Sequence, residues 1–245
     1  MKTLGFNTLR KHIKIEPERF YYDCDRYGML VFQDLVNSGP YHYLRDTAIP
    51  TIGGKLATYH EPPSERRRNF FLIHGEQTLR HLHNHPSIVF YTLFNEGWGQ
   101  FNADEMYEKA KKFDPTRIFD STSGWFTRSK SDVDSRHVYF KAVKLGKVTD
   151  KPIVISEFGG YSCRIDGHLF GSNNYGYSIF ENKEAFTEAF LKLYSKEIEP
   201  LIEKGICALV YTQVSDVEDE TNGLITYDRR CVKLDADKTR EQMMR

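Results

Sequence analysis

Short apolar runs alternate with amphipathic stretches along the whole chain. The apolar runs fall at residues 7–12, 29–35, 87–95, 117–121, 137–140, 152–158 and 208–216 and predict strands. Several are rich in Val, Ile, Phe and Tyr with little polar alternation, as expected of strands buried on both faces of a parallel sheet. Helical stretches lie between them at 17–27, 70–82, 104–113, 183–204 and 235–244. Pro17 opens the first, where a missing amide donor costs nothing, and Gly28 stops it. Strands alternating with helices indicate an α/β fold.

Seven strands are predicted. A (β/α)8 barrel, typically about 250 residues long, needs eight. Met1-Lys2-Thr3-Leu4-Gly5 reads like the last turn of a helix running into Phe6-Asn7. Two readings stay open on pattern alone. Either the fold is another α/β arrangement, or the chain begins inside a barrel and lacks its first strand. No linker, repeat or low-complexity tract divides residues 1–245, which read as one domain.

Composition narrows the function classes. Hydrophobic residues make up 40% of the chain, enough for a sizeable core. With 34 basic and 34 acidic side chains the formal net charge is zero, which speaks against a nucleic-acid partner. The compact basic run Arg66-Arg67-Arg68 reads as a solvated helix face. No apolar run reaches the roughly 18 residues of a membrane span, and no signal peptide is visible. Cys24, Cys163, Cys207 and Cys231 are scattered without a CxxC pair, so neither a disulfide framework nor a zinc site is expected. That usage fits a reducing, cytoplasmic compartment. No cofactor is expected. The run His81-x-His83-x-His85 lacks the spacing of a helical metal pair, and no metal is assigned to it.

Two predicted strands end in a glutamate. One reads His85-Pro86-Ser87-Ile88-Val89-Phe90-Tyr91-Thr92-Leu93-Phe94-Asn95-Glu96-Gly97-Trp98, the other Pro152-Ile153-Val154-Ile155-Ser156-Glu157-Phe158-Gly159. In a parallel barrel, functional groups sit where strands end. Glycosidic cleavage needs two carboxyl groups, one donating a proton to the leaving oxygen and one attacking the anomeric carbon.

Asn95-Glu96 after a strand opening with Asn84-His85-Pro86-Ser87 resembles the acid/base motif of glycoside hydrolase family 2, the β-galactosidases, β-glucuronidases and β-mannosidases. Ser156-Glu157-Phe158-Gly159 resembles its nucleophile strand. Asn7-Thr8-Leu9-Arg10 and Asp25-Arg26-Tyr27-Gly28-Met29-Leu30-Val31 resemble its second and third strands. Val217 to Leu224, with Thr226-Tyr227-Asp228-Arg229, resembles the segment after its eighth strand. The resemblance implies a (β/α)8 TIM barrel, truncated at the N-terminus and without its first strand, and without the family's β-sandwich domains. It implies a retaining glycoside hydrolase acting on terminal β-glycosidic bonds, with Glu96 as acid/base and Glu157 as nucleophile.

The resemblance also suggests a substrate set. Asn95 would bond the sugar 2-hydroxyl. Arg10 matches a strand-end arginine that supports the nucleophile by charge. His12, two residues on, faces the same side and reads equally as a structural histidine. Asp34 ends its strand and is a candidate for sugar hydroxyls or for capping a loop. Trp98 and Trp125 offer flat faces for a sugar ring or for the core. Tyr139 is a candidate donor to Glu157. Gln213 and Asp216 end the last predicted strand, where relatives often carry Trp.

Two other readings compete, a non-catalytic carbohydrate-binding barrel and a metal hydrolase using the histidine run. An open barrel also leaves strand edges bare. The chain is therefore expected to self-associate into homo-oligomers or to be poorly stable compared with the full-length parent, and sedimentation velocity showing only a cooperatively folded monomer would contradict this.

Overall fold

A computed structural model describes residues 1–36, 42–44, 49, 63–125, 130–146, 149–173 and 175–244. The chain divides into two compact units. An N-terminal unit comprises Thr8–His137 with Thr149–Ser156, and a C-terminal unit comprises Met1–Asn7, Val138–Val148 and Glu157–Arg245. Among the described residues no helix is long and apolar enough to cross a membrane.

The N-terminal unit is built on a parallel sheet of four strands in sequence order, β1 (Thr8–Lys11), β2 (Leu30–Asp34), β3 (Ile88–Phe94) and β4 (Ile118–Thr122). Helices connect them, as parallel strands require. α1 (Glu18–Tyr27) stops at Gly28, whose left-handed backbone returns its N–H to the Cys24 carbonyl. α2 (Glu65–Leu82) starts five residues before the predicted 70 because Ser64 caps it. Its first turn is polar, so apolar periodicity could not reveal it. α3 (Ala103–Phe113) joins β3 to β4.

β3 is buried along almost its whole length. Stacked pairs Phe32–Phe90 and Phe71–Phe94, at 4.4 and 4.7 Å between centroids, fill the space beside it. β5 (Asp134–Val138) then runs beside the start of β6 (Ile153–Gly159), the Asp134 N–H bonding the Pro152 carbonyl at 2.9 Å. β5 begins and ends earlier than the predicted 137–140. Its polar opening, Asp134-Ser135-Arg136, carries no apolar signal, and the chain turns at Phe140, which has a φ of 59°.

The C-terminal unit holds the end of β6, beside which lies β9 (Ile206–Thr212). β9 stops at Thr212, so Gln213 and Asp216 lie beyond the strand and not at its end as predicted. A short parallel pair, β7 (Tyr161–Cys163) and β8 (Ser178–Phe180), was not predicted, because three-residue strands are too short for a periodic signal. The predicted helix 183–204 is interrupted. α4 (Lys183–Leu193) passes through a π-turn at Tyr194–Ile198 into α5 (Glu199–Ile202). Pro200 has no N–H for the carbonyl one turn back, and the wider turn ahead of it absorbs the mismatch. α6 (Ala236–Met243) closes the chain. Phe158, Phe190, Tyr194 and Tyr211 form the aromatic core, with neighbouring centroids 4.7 to 5.8 Å apart.

Across β2, β3 and β4 the register sets Asp34, Thr92 and Asp120 side by side, all of them buried. Burial pushes the Asp120 carboxyl up to about 6, only partly opposed by the Ser135 hydroxyl and the Arg10 charge. A carboxyl raised in the folded state has no ionisation cost below its unfolded pKa and the full cost above its folded one. Asp120→Asn is therefore expected to gain stability as pH rises from 4 to 8, by about 2 kcal/mol relative to the parent chain. Urea denaturation at the two pH values checks this, and an equal effect at both would contradict it.

Candidate active site

Arg10 organises the strand ends of the N-terminal unit. Its side chain is 4% exposed and forks onto Asp34, with Nε to Oδ1 at 3.0 Å and Nη2 to Oδ2 at 2.8 Å. Nη2 also donates to Asn95 Oδ1 at 2.7 Å, and Nη1 to the Ser156 carbonyl at 3.0 Å. Asp34 is fully buried, and its Oδ2 also accepts the Ile13 N–H at 3.3 Å. Burial would raise Asp34, but the Arg10 charge and His12 outweigh it and hold the carboxyl at about 2. Asp34, a candidate for sugar hydroxyls or for capping a loop, has its carboxylate enclosed and bound to Arg10. His12 sits at the open side of this pair, 55% exposed, with Nδ1 3.5 Å from Asp34.

Asn95 receives a second donor, the Ser123 hydroxyl at 2.9 Å. Two donors on Oδ1 determine which end of the amide is oxygen. Ser123 in turn accepts the Glu96 N–H at 3.2 Å. Glu96 has φ 52° and ψ 19°, left-handed values that non-glycine residues rarely adopt. Such strain persists only where neighbours impose it, and it clusters at functional positions. Here the neighbours are the Asn95–Ser123 bonds and His137, whose Nδ1 lies 3.0 Å from Glu96 Oε1. The His137 side chain is fully buried. Trp125 sets its edge against that ring at 5.7 Å. Gly124, φ 79°, allows the approach, since a Cβ there would stand 3.0 Å from two His137 ring atoms. Trp98 is half-buried after the Asn95–Gly97 turn, its backbone N–H on the Asn95 carbonyl at 2.9 Å.

In the C-terminal unit Glu157 is held from β5's far end. The Tyr139 hydroxyl donates to Glu157 Oε2 at 2.8 Å and lies 2.8 Å from the Thr212 hydroxyl. Burial, then the Glu157 charge, push the Tyr139 phenol well above its usual range. It therefore remains a donor to Glu157 and accepts from Thr212. Tyr177 stacks on Tyr139 at 4.3 Å, and the exposed Phe140 meets Tyr177 edge-on at 4.5 Å. These rings border a cavity of about 290 Å³ reaching Tyr161 and Glu197.

Gln213 and Asp216 belong to the loop after β9. Gln213 Nε2 donates to Glu220 and Asn222 at 2.8 and 2.6 Å. Asp216 is 2% exposed and pairs with the fully buried Lys233, whose Nζ lies 2.6 Å from Oδ1. Asp216, a candidate for substrate binding, forms a buried ion pair with Lys233 that ties down the C-terminal segment. His137, Ser123, Thr212 and Lys233 escaped sequence reading. His137 sits in a predicted strand, and the others occupy strand ends or a loop without a motif. The histidine run is dispersed: His85 bonds Asp25 at 2.6 Å, His83 pairs with Asp114 at 3.3 Å, and His81 is exposed.

Comparison with known proteins agrees with this arrangement of elements. Residues 1–239 match the family described as Glycosyl hydrolases family 2, TIM barrel domain. A β-galactosidase of Priestia megaterium is 26% identical over 181 residues, covering 69% of this chain and 16% of the relative. A β-galactosidase of Leuconostoc mesenteroides is 27% identical over 213 residues, covering 78% of this chain and 18% of the relative. The β-D-glucuronidase structure from Dictyoglomus thermophilum shares the fold with a TM-score of 0.66 at 17% identity, covering 100% of this chain and 45% of that one. The chain thus spans less than a fifth of the length of these curated relatives. On the match across residues 1–239, the chain belongs to glycosyl hydrolase family 2 and has the α/β fold of its TIM barrel domain.

Proposed function

We propose that this chain carries the catalytic machinery of a retaining β-glycosidase acting on terminal sugars, with Glu157 as nucleophile and Glu96 as acid/base. The supporting observation is the pair of strand-end glutamates in the family's motif order, each held by one buried ring donor or acceptor, His137 for Glu96 and Tyr139 for Glu157. In this reading β1 takes the place of the barrel's second strand, β3 of the fourth and β6 of the seventh.

The chemistry then runs in two displacements. A Glu157 oxygen attacks the anomeric carbon while Glu96 gives its proton to the departing glycosidic oxygen. The glycosyl ester is next attacked by water, whose proton passes to Glu96 as the Glu157 carboxylate leaves. Tyr139 fixes which Glu157 oxygen is bonded and which is presented. His137 Nδ1 stands beside Glu96 Oε1, where it can accept a hydrogen bond from the carboxylic acid or donate a hydrogen bond to the carboxylate. Asn95, its oxygen held by Arg10 and Ser123, would offer its Nδ2 to the sugar 2-hydroxyl. Arg10 and Asp34 act as positioning residues for that contact. Trp98 and Trp125 are proposed to border the sugar. The partner is a carbohydrate carrying a terminal β-linked sugar.

Glu157→Gln is expected to abolish hydrolysis of aryl β-glycosides and covalent capture of a 2-fluoro glycoside, which peptide mass spectrometry would otherwise find on Glu157. Labelling at another residue would overturn the assignment. Glu96→Ala is expected to slow substrates with poor leaving groups by about 10²–10⁴-fold and activated aryl leaving groups far less. An equal loss on both would remove Glu96 from the acid role. Tyr139→Phe is expected to lower kcat by about ten- to a hundredfold with little change in KM, because it removes one preorganised donor. A change confined to KM would contradict that.

A further inference from the structure

The C-terminal unit sets an aspartate, a histidine and a cysteine in line. His168 Nδ1 lies 2.8 Å from Asp228 Oδ2, and its other ring nitrogen, Nε2, lies 3.3 Å from Cys231 Sγ. One closed turn fixes both ends of the line. The Thr226 hydroxyl donates to Asp228 Oδ1 at 2.7 Å, and the Arg230 N–H reaches the same oxygen at 3.1 Å. The Thr226 N–H bonds the Cys231 carbonyl at 3.0 Å, and the Cys231 N–H returns to the Thr226 hydroxyl at 3.1 Å. Asp228 and Cys231 therefore hold their spacing without help from the histidine.

The bonding determines where the ring proton sits. The Thr226 hydrogen bond, then that of His168, hold the Asp228 carboxyl well below the usual carboxylate range. An ionised carboxylate only accepts, so Nδ1 carries the proton of the neutral ring, and the Nε2 lone pair faces the thiol. A base beside a nucleophile, itself oriented by a third group, is the general arrangement for activating that nucleophile.

We propose that Cys231 is a reactive thiol, a covalent modification site for small soft electrophiles, with His168 as its base and Asp228 orienting that base. As sulfur attacks an electrophilic carbon, the thiol proton passes to His168 Nε2. The sulfur–carbon bond forms, the bond from carbon to the leaving group breaks, and the leaving group departs with the electron pair. The imidazolium then releases its proton to water.

The surroundings suit this role. The His168 and Asp228 side chains are 27% and 30% exposed, and Cys231 is half-buried. The other cysteines lack this arrangement. Cys24 and Cys163 are buried, and burial pushes both thiols up, Cys24 to about 11. Cys207 is exposed and lies 3.4 Å from the Gly205 carbonyl, an acceptor that cannot take up its proton. The inference is independent of the glycosidase reading.

Timed labelling of the native chain with iodoacetamide at pH 7, read by peptide mass spectrometry, tests it with Cys207 as an internal standard. Cys231 is expected to react about tenfold faster than the more exposed Cys207. His168→Gln is expected to lower the Cys231 rate about tenfold and Asp228→Asn a few-fold, with Cys207 unchanged in both. Unfolding of a variant would show as labelling of Cys24 and Cys163, and the comparison of Cys231 with Cys207 in the parent chain then decides. A Cys231 rate at or below that of Cys207, or one indifferent to a folded His168→Gln, overturns the proposal.

Discussion

A buried guanidinium cannot be left unpaired, and the geometry around Arg10 follows from that requirement. Taking a charged group out of water costs several kcal/mol unless an opposite charge and hydrogen bonds replace the solvent. Arg10 meets the demand with a two-point fork onto Asp34, one bond to Asn95 and one to the Ser156 carbonyl. These partners stand on β2, just after β3, and on β6, so one cation from β1 ties four strands at their C-terminal ends. The arrangement specifies register more than it adds stability, because the desolvation cost offsets much of the Coulomb gain. Lys at this position could supply the charge but not the planar fork.

The same cation separates the behaviour of two neighbouring carboxyls. Asp34 and Asp120 flank Thr92 in one layer, and both are buried. Asp34, bonded to Arg10, is held at about 2, whereas Asp120, farther along the layer, is pushed to about 6. Burial acts upward on both, and only the directly paired one is overruled. From Arg10 the constraint passes through Asn95 and Ser123 to the backbone of Glu96, which accepts a left-handed conformation there. A strained residue at the end of a buried strand has little freedom to move its carboxyl. Such immobility is useful where a reacting group must meet a bond within a few tenths of an ångström.

The C-terminal unit uses aromatic packing for a similar end. Phe158, Phe190, Tyr194 and Tyr211 form its core, and Gly159 with φ 87° lets the chain pass where a Cβ would stand 2.3 Å from the Tyr211 ring. Tyr139 carries this packing to the acidic group: its ring stacks on Tyr177, and its hydroxyl reaches Glu157. Much of the 14% aromatic content is thus spent on the core and on positioning polar atoms. The buried pair Lys233–Asp216 does for the C-terminal segment what Arg10–Asp34 does for the sheet.

The sequence by itself determined the order of strands and helices, because a strand buried on both faces is a continuous apolar run and a helix face repeats every 3.6 residues, and both are written locally. It also determined the family, because each motif is one contiguous strand end. Boundaries were lost where an element opens on polar residues, as at Ser64 and Asp134, or stops short, as β9 does before Gln213. The tertiary structure alone decided the partners. Arg10 finds Asn95 across 85 positions, Tyr139 finds Thr212 across 73, and His168 finds Cys231 across 63. A hydrogen bond depends on atoms within about 3 Å of each other, and contacts that distant along the chain leave no periodic trace in it. For that reason the pairing of Asp34 with Arg10 and of Asp216 with Lys233 was decided by the fold alone.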